Sequence, residues 1–214
     1  APVINDHGRL IGRVTIAEVV DVMQEDSQEQ ALSRAGLQEE DIFAPVAMAL
    51  RNRAPWLLFN LCTAATASLV ASRFQNTVSQ IVILAFLMSI VAGIGGNQTM
   101  TMIIRALAMG RITGRNLWQL VKRELRVTLM VGLCGSVVAA LFAWAISTSL
   151  AVALVMMAAM ICNMLVGASV GVLVPILRAR FGKDPAIGSS VLLTFATDSL
   201  GFFIFLGLAT LFLL

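Results

Sequence analysis

Five apolar stretches, each close to the length that crosses a lipid bilayer, constrain this sequence more than any other feature. They cover residues 54–73, 78–104, 127–148, 150–177 and 189–214. A helix of about 20 apolar residues is enough to span a membrane. Only 13% of the residues are charged, about half the share in an ordinary soluble domain. The sequence therefore predicts an all-α polytopic membrane protein with five transmembrane helices in a lipid bilayer, of which the second and fourth can tilt or contain breaks.

Charge divides the chain into an acidic N-terminal part and a membrane part with basic loops. The net charge is −6 over residues 1–50 and +9 over residues 51–214, so the basic total reflects the loops and does not indicate nucleic-acid binding. Basic residues cluster before the first apolar stretch and after the second and fourth. The positive-inside rule then predicts a cytoplasmic N-terminus and an outside C-terminus. We expect this multi-pass protein in the inner (plasma) membrane. Because the sequence begins without Met and in mid-strand, we interpret it as a piece of a longer protein.

The N-terminal part has the pattern of two short strands followed by a helix. Strands are predicted over residues 3–4 and 10–16 around a turn. Thr15-x-x-Glu18 is a capping-box pattern, and it predicts a helix reaching about residue 29. A second, amphipathic helix over about 39–52 is predicted to lead into the membrane.

Three local patterns in the membrane part predict how its helices begin and pack. Asp184-Pro185 suits an N-cap and a first helical turn, so the last helix is predicted to begin near Pro185. Gly167-x-x-x-Gly171 predicts close contact with another helix. The three cysteines lie in apolar runs without metal-ligand spacing and are predicted to be small buried hydrophobic residues: Cys62, Cys134 and Cys162.

The residue that carries most functional information is Asp198, the only acid deep inside a predicted span. Counted from Pro185, it lies roughly 20 Å along the last helix, near the middle of the membrane. A carboxylate there costs at least a few kcal/mol, so a functional site facing water or an ion is the default interpretation. The alternative is a protonated Asp hydrogen-bonded to a neighbouring helix.

Polar and small residues form matching stripes on two predicted spans. On the last span they recur at three- and four-residue spacing and share one face: Ser190, Thr194, Thr197, Asp198 and Gly201. The second span has a similar face, with Gln98 beside it: Gly93, Gly96, Asn97, Met100 and Thr101. We interpret the stripes as a lined path in which Asn97 and Thr194 place oxygens beside the Asp198 carboxylate. The alternative is helix packing through small and polar residues.

The donor atoms of this path indicate a class of ion. Oxygen ligands without histidine or thiolate suit hard cations such as Mg²⁺ or Ca²⁺. One carboxylate per chain suits a hydrated Mg²⁺, and a symmetric dimer would face one ion with two Asp198 side chains. Two charges moving inward down 100 mV gain roughly 4.6 kcal/mol.

A second group of acids lies along the helix of the N-terminal part. Glu18, Asp21, Glu25 and Glu29 follow helical spacing, with Asp26 beside them. Two interpretations remain open: a solvated helix face, or a divalent-cation sensor whose carboxylates repel until a cation binds between them. Asp184, at the predicted cytoplasmic mouth, is a further candidate ligand of such a sensor.

Together these segments resemble the MgtE family of magnesium channels over essentially the whole chain. Residues 3–15 resemble the end of a second CBS domain, and Arg53-Ala-Pro-Trp-Leu57 resembles the entry to the family's first span. The remaining matching motifs are Gly96-Asn-Gln-Thr99 with Ile103-Ile-Arg-Ala-Leu-Ala108, Asp184-Pro-Ala186, and Thr194-Phe-Ala-Thr-Asp-Ser-Leu-Gly201.

The resemblance implies a homodimer with a pore at its axis, lined mainly by the second and fifth spans. It implies three parts: a regulatory CBS remnant of β-β-α form (1–30), a connecting or plug helix (31–53) and a five-helix channel domain (54–214). It also implies that Mg²⁺ is both transported and regulatory. Asp198 would hold the hydrated ion in the pore. The regulatory ions, which close the pore when internal Mg²⁺ is high, would bind Glu18, Asp21, Asp26, Glu29 and Asp184.

Three other functions remain as alternatives. One is a broader divalent-cation transporter that also passes Co²⁺, Mn²⁺ or Ni²⁺. Another is a CBS-linked membrane sensor without ion flux, which would confine polar residues to the N-terminal part. The third is an intramembrane enzyme, which the sequence disfavours because aspartyl proteolysis needs two carboxylates in one site. We therefore predict no catalytic residues and no cofactor-binding site beyond the metal positions.

Overall fold

A computed structural model describes residues 1–5, 7, 9–24, 45–91, 96–112 and 116–214. Its N-terminal part contains the strands β1 (Pro2–Ile4) and β2 (Leu10–Arg13) and a helix, α1, over residues 16–24. The membrane part contains α2 (Val46–Ser72), α3 (Gln75–Gln80), α4 (Ile83–Val91), α5 (Asn97–Ala108), α6 (Leu117–Ser147), α7 (Leu150–Arg180) and α8 (Ser189–Leu213).

The small N-terminal unit has the predicted order of strand, turn, strand and helix. β1 and β2 pair antiparallel, with Val3 opposite Gly12 and an irregularity between Val3 and Ile4. The second strand ends at Arg13, earlier than predicted. The capping box is confirmed: the Thr15 amide donates to Glu18 Oε2 at 2.6 Å, and the Glu18 amide donates to Thr15 Oγ1 at 3.3 Å.

Four described helices are long and apolar enough to cross a membrane: α2, α6, α7 and α8. They correspond to the predicted first, third, fourth and fifth spans. Helix α2 runs without interruption from Val46 to Ser72, so the end of the predicted connecting helix and the first span form one helix. The part of that connecting helix before Pro45 lies outside the described residues.

The second predicted span contains breaks, as its length allowed, so the described residues do not confirm the count of five spanning helices. Its sequence is divided among α3, α4 and α5, each far shorter than a spanning helix. The first break follows from Ile81, whose backbone has left the helical region at φ −125° and ψ 73°. After the second, α5 begins behind Gly96 at φ +92°, a left-handed conformation that glycine adopts without a steric penalty.

The main apolar core lies where α4, α6, α7 and α8 meet. It includes fully buried Leu87 of α4, Ala143 of α6, Met156 of α7 and Phe205 of α8. The antiparallel pair α6 and α7 turns within two residues at Thr148, whose φ is +53°. Helix α3 is attached to the far end of α8 by a 2.7 Å hydrogen bond between the Thr77 and Thr210 hydroxyl groups.

Two sequence predictions about single positions are wrong. The last helix begins at Ser189, not near Pro185, because Asp184 Oδ1 accepts the Ala186 amide at 2.8 Å and closes a local turn instead of capping the helix. All three cysteines are exposed on the chain rather than buried. In a membrane helix the outward face is as apolar as the core, so an apolar sequence context does not distinguish the two.

Candidate functional site

The junction at Gly96 brings the start of α5 against α7. A Cβ atom on Gly96 would lie against the Gly167 backbone and 2.8 Å from Leu193 Cδ1. A Cβ on Gly171 would lie 2.8 Å from the Gly96 carbonyl oxygen and 3.2 Å from the Met100 amide nitrogen. Each of the two α7 glycines therefore admits the backbone of α5, which confirms the close contact predicted from the small-xxx-small pattern.

Helix α5 has one buried and one exposed face. Thr99, Met100, Ile103 and Ile104 are buried, whereas Asn97 and Gln98 are exposed on the chain, as is Thr101 one turn later. The amide side chains at the helix start therefore point away from α7. This arrangement leaves their oxygen and nitrogen atoms accessible to water or an ion.

Asp198 lies in the middle third of α8. It is the tenth residue of a 25-residue helix, roughly 14 Å from the helix start. The residue is half-buried and its Oδ1 atom is buried. Because α8 begins four residues later than predicted, this is a shorter distance than the sequence-based count. It remains within the span, far from either end of the helix.

The other members of the α8 stripe have different surroundings. Thr194 is exposed and its hydroxyl donates to the Ser190 carbonyl at 3.0 Å. Thr197 is 1% exposed, and its hydroxyl donates to the Leu193 carbonyl at 3.0 Å. Gly201 is buried against Asn163 of α7. Thr197 and Gly201 therefore pack inside the bundle, whereas Thr194 is exposed and Ser190 and Asp198 are half-buried.

Helices α5 and α8 meet beside these polar side chains. Gly96, which precedes Asn97, contacts Leu193, which precedes Thr194. One turn into α5, Met100 packs with Leu193 in a small apolar cluster. The contact brings the start of α5 to the turn of α8 that precedes Asp198. The resulting set of donors consists of one carboxylate with amide and hydroxyl oxygens, which suits a hard, partly hydrated cation.

Asn163 is a functional candidate that the sequence reasoning did not identify. It is 1% exposed, and its Nδ2 donates to the carbonyl of Val91, the last residue of α4. Its amide also lies 2.9–3.0 Å from where a Gly201 Cβ would be. One side chain thus connects α7 to the end of α4 and to α8. An Asn within a 31-residue apolar helix was the available signal.

The acidic residues predicted to bind regulatory ions are only partly described. Glu18 and Asp21 are exposed on α1, whereas Asp26 and Glu29 lie outside the described residues. Hydrogen bonds from the Thr15 amide and hydroxyl group lower the pKa of Glu18 below its ordinary value of 4.5. Both bonds end on Oε2, so Oε1 is the atom left for a cation.

Asp184 lies in the turn between α7 and α8. The residue is exposed, and one of its carboxylate oxygens closes the turn onto Ala186. Arg178 Nε donates to its backbone carbonyl at 2.9 Å. Within the described ranges, no three His, Cys, Asp or Glu side chains are grouped closely enough to hold a metal ion. A cation bound there would keep several waters or take ligands from elsewhere.

Comparisons with known proteins agree with this donor chemistry. The sequence model of a family described as a divalent cation transporter, MgtE, matches residues 85–208. The chain is 28% identical to "Magnesium transporter MgtE" of Bacillus subtilis, 26% to that of Enterococcus faecalis and 30% to that of Thermus thermophilus. Each match covers 99% of this chain and 48% of the relative, so the chain spans about half the length of the curated relatives it matches.

Proposed function

Because this chain belongs to the MgtE family of divalent cation transporters, we propose that its membrane helices carry Mg²⁺ into the cell. In this proposal the ion passes beside α5 and α8 and is held at Asp198. The curated relatives are magnesium transporters by name. The family resemblance and the oxygen-donor set of the site support the same substrate.

The observation that carries the proposal is the position of Asp198. It is the only acid in the sequence of α8, and α2, α4, α5 and α7 have none. A carboxylate in the middle of an apolar helix is expensive, and intramembrane acids of this kind mark ion pathways. The helix contacts the start of α5 at the level of Leu193 and Gly96, where the accessible amides of Asn97 and Gln98 begin.

The proposed mechanism uses the hydration shell of the ion. Mg²⁺ releases its waters reluctantly and usually takes one or two carboxylates. Asp198 would therefore bind the hydrated ion, with Asn97 and Thr194 accepting hydrogen bonds from its waters. In a homodimer with the path at the twofold axis, two Asp198 carboxylates would balance the two charges of one ion. The membrane potential supplies the inward driving force.

The test is Mg²⁺ uptake by proteoliposomes that contain the chain or its variants. Asp198→Asn keeps the shape of the side chain and removes its charge, so uptake should fall to near the level of empty vesicles. Glu124→Gln is the matched control, because it makes the same carboxyl-to-amide change on α6 and keeps an oxygen for the Thr99 hydroxyl. Full uptake by Asp198→Asn, or equal losses in both variants, would contradict the proposal.

We also propose that the acidic N-terminal part closes the path when internal Mg²⁺ is high. Ions bound by Glu18, Asp21, Asp26, Glu29 and Asp184 would favour the closed state and shift its population. Asp21→Asn is the cleanest test, since Asp21 is exposed on α1 and, unlike Glu18, does not cap the helix. Half-inhibition of uptake should then require more internal Mg²⁺, with uptake at low internal Mg²⁺ unchanged. An unshifted inhibition curve would contradict the sensor.

Selectivity among divalent cations is a finer part of the proposal. Ligands that are all oxygen, reached through water, favour Mg²⁺ over ions that prefer imidazole or thiolate. Co²⁺ and Ni²⁺ at equal concentration should therefore inhibit Mg²⁺ uptake only weakly, whereas Mn²⁺, which also takes oxygen ligands, should inhibit it more. Equal competition by these ions would favour the broader divalent-cation transporter.

A further inference from the structure

An amphipathic cleft lies between the end of α5 and the start of α6. Its volume is about 590 Å³. One part of its wall is apolar, formed by residues such as Met102, Ile103 and Met109. The other part carries three arginines, Arg105, Arg111 and Arg123, with one acid, Glu124. The cleft therefore combines a surface suited to hydrocarbon with an excess of two positive charges.

Backbone hydrogen bonds fix the position of Arg111 in the chain between the two helices. Gly110, at φ +62°, ends α5, and the Arg111 amide donates to the Ala106 carbonyl at 3.0 Å, as in a Schellman cap. The Arg111 carbonyl in turn accepts a 2.7 Å hydrogen bond from Asn116 Nδ2, next to the start of α6. Arg111 consequently joins Arg105 of α5 and Arg123 of α6 in the wall of the cleft.

The electrostatics of the cleft favour an anion. The positive end of the α6 dipole is at the cleft, where Asn116 and Gln119 contribute to the wall, and helix N-termini bind phosphate groups readily. Glu124 opposes an anion, but its Oε2 is directed to the Thr99 hydroxyl of α5 at 3.5 Å. Arginine provides paired N–H donors that match two oxygens of a phosphate.

The cleft also lies at the depth of lipid headgroups. Helix α6 has 31 residues and is roughly 46 Å long, which exceeds the ~30 Å hydrocarbon layer. Its first turns carry Lys122, Arg123 and Arg126, and no charged residue follows in the helix. Trp118 is 65% exposed, with Lys122 Nζ 5.3 Å from its ring centroid, and aromatic and basic residues of this kind mark the membrane–water interface.

We propose that this cleft binds the phosphate headgroup of an anionic phospholipid, with the arginines on the phosphate and an acyl chain along the apolar wall. Basic pockets between transmembrane helices are known to take such headgroups. A free phosphate shares the charge but has no hydrocarbon to occupy the apolar wall. The proposal uses neither Asp198 nor the α8 stripe, so its test does not depend on the role of Asp198.

The test measures binding of short-chain lipids to the detergent-purified chain by calorimetry and native mass spectrometry. Dioctanoyl phosphatidylglycerol should bind well above dioctanoyl phosphatidylcholine. Arg105→Gln and Arg123→Gln should each weaken the binding of phosphatidylglycerol about fivefold, since one cation near an anionic surface contributes about that factor to the affinity. Arg126→Gln is the matched control, because Arg126 is exposed on the same helix and does not line the cleft. Glu124→Gln should strengthen binding.

Each remaining outcome contradicts the proposal in a distinguishable way. Equal binding of the two lipids would exclude a headgroup site. Inorganic phosphate or glycerol phosphate binding as tightly as phosphatidylglycerol would assign the cleft to a soluble phosphate instead. Equal losses in Arg105→Gln and Arg126→Gln would mean that general surface charge, and not the cleft, attracts the lipid. The absence of a thermal unfolding transition identifies an arginine variant that does not fold. In that case the site is tested by whether Glu124→Gln increases the affinity for phosphatidylglycerol.

Discussion

The side chain of Asn163 makes an interhelical hydrogen bond in the interior of the membrane part. Its Nδ2 donates to the Val91 carbonyl, and Gly201 provides the space for the amide. Asn163→Leu preserves most of the side-chain volume but removes the donor, so the Val91 carbonyl loses this hydrogen bond. Loss of such a partner costs about 1–3 kcal/mol. We expect a lower unfolding transition in detergent and reduced Mg²⁺ uptake.

The control for this residue is on the same helix. Ser169 is exposed, and its hydroxyl donates to the carbonyl of Leu165 one turn earlier. Ser169→Ala removes a hydroxyl that binds only its own helix, so the unfolding transition should remain unchanged. If Asn163→Leu behaves like Ser169→Ala, the Asn163 amide does not hold α4 to α7.

Glu18 gives a pH dependence of known sign. Its pKa is lowered chiefly by the Thr15 amide and secondly by the Thr15 hydroxyl. A lowered folded-state pKa means that the cap stabilises α1 above the ordinary pKa of 4.5, and that this stabilisation is lost as the pH falls from there through the lowered value. Thr15→Val keeps the amide but removes the hydroxyl, so the Glu18 pKa should rise partway. NMR titration of the Glu18 carboxyl carbon measures it, and an unchanged pKa would contradict the hydroxyl contribution.

At the scale of elements, the position of α5 depends on glycine at one position. Gly96 has φ +92° and faces the Gly167 backbone. Gly96→Ala places a Cβ in a left-handed backbone conformation, which costs about 1–2 kcal/mol. The same Cβ also clashes with the Gly167 backbone of α7. We expect at least that loss in unfolding free energy, with impaired uptake. Gly207→Ala is the control, because a Cβ there has nothing within 4 Å and alanine favours a helix by up to about 1 kcal/mol. A stable Gly96→Ala chain would contradict the packing.

The helices could be predicted from the sequence where hydropathy alone decides. Long apolar stretches predicted α7 and α8 nearly in full, but α6 begins ten residues before its predicted span. The Thr15–Glu18 pattern predicted the start of α1. The positions of the breaks in the second span could not be predicted, because hydropathy is averaged over a window and contains no information on the backbone angles of Ile81 and Gly96. The predicted start of α8 was wrong for a related reason. An Asp side chain can cap a helix or close a turn, and Asp184 closes a turn by accepting a hydrogen bond from the Ala186 amide.

The candidate site was predictable in its residue types and less so in its geometry. Helical spacing grouped Thr197 and Gly201 with Asp198, but tertiary packing buries Thr197 and puts Gly201 against α7. Periodicity within one helix does not say which part of a face a neighbouring helix will cover. Asn163 was missed for the complementary reason, since its partner Val91 is 72 positions away in sequence.

At the scale of the whole molecule, the proposed twofold path makes a quantitative prediction about mixed assemblies. If two subunits share one path, a single Asp198→Asn subunit removes half of the carboxylates facing each ion. Co-expression of equal amounts of wild-type and Asp198→Asn chains gives pure wild-type dimers in only about one quarter of cases by random pairing in a twofold assembly. Uptake should then fall towards about one quarter of the wild-type level if one carboxylate is not enough.

Separate paths in each subunit would give a different result from the same mixture. Uptake would then equal the wild-type fraction, about one half at equal expression, because each subunit would act alone. Mixing wild type with Glu124→Gln controls for expression and should leave uptake at the full level at every ratio. The subunit ratio in each sample is read by intact mass spectrometry. Uptake that declines in proportion to the Asp198→Asn fraction would contradict a shared path, even if Asp198 itself remains essential for transport.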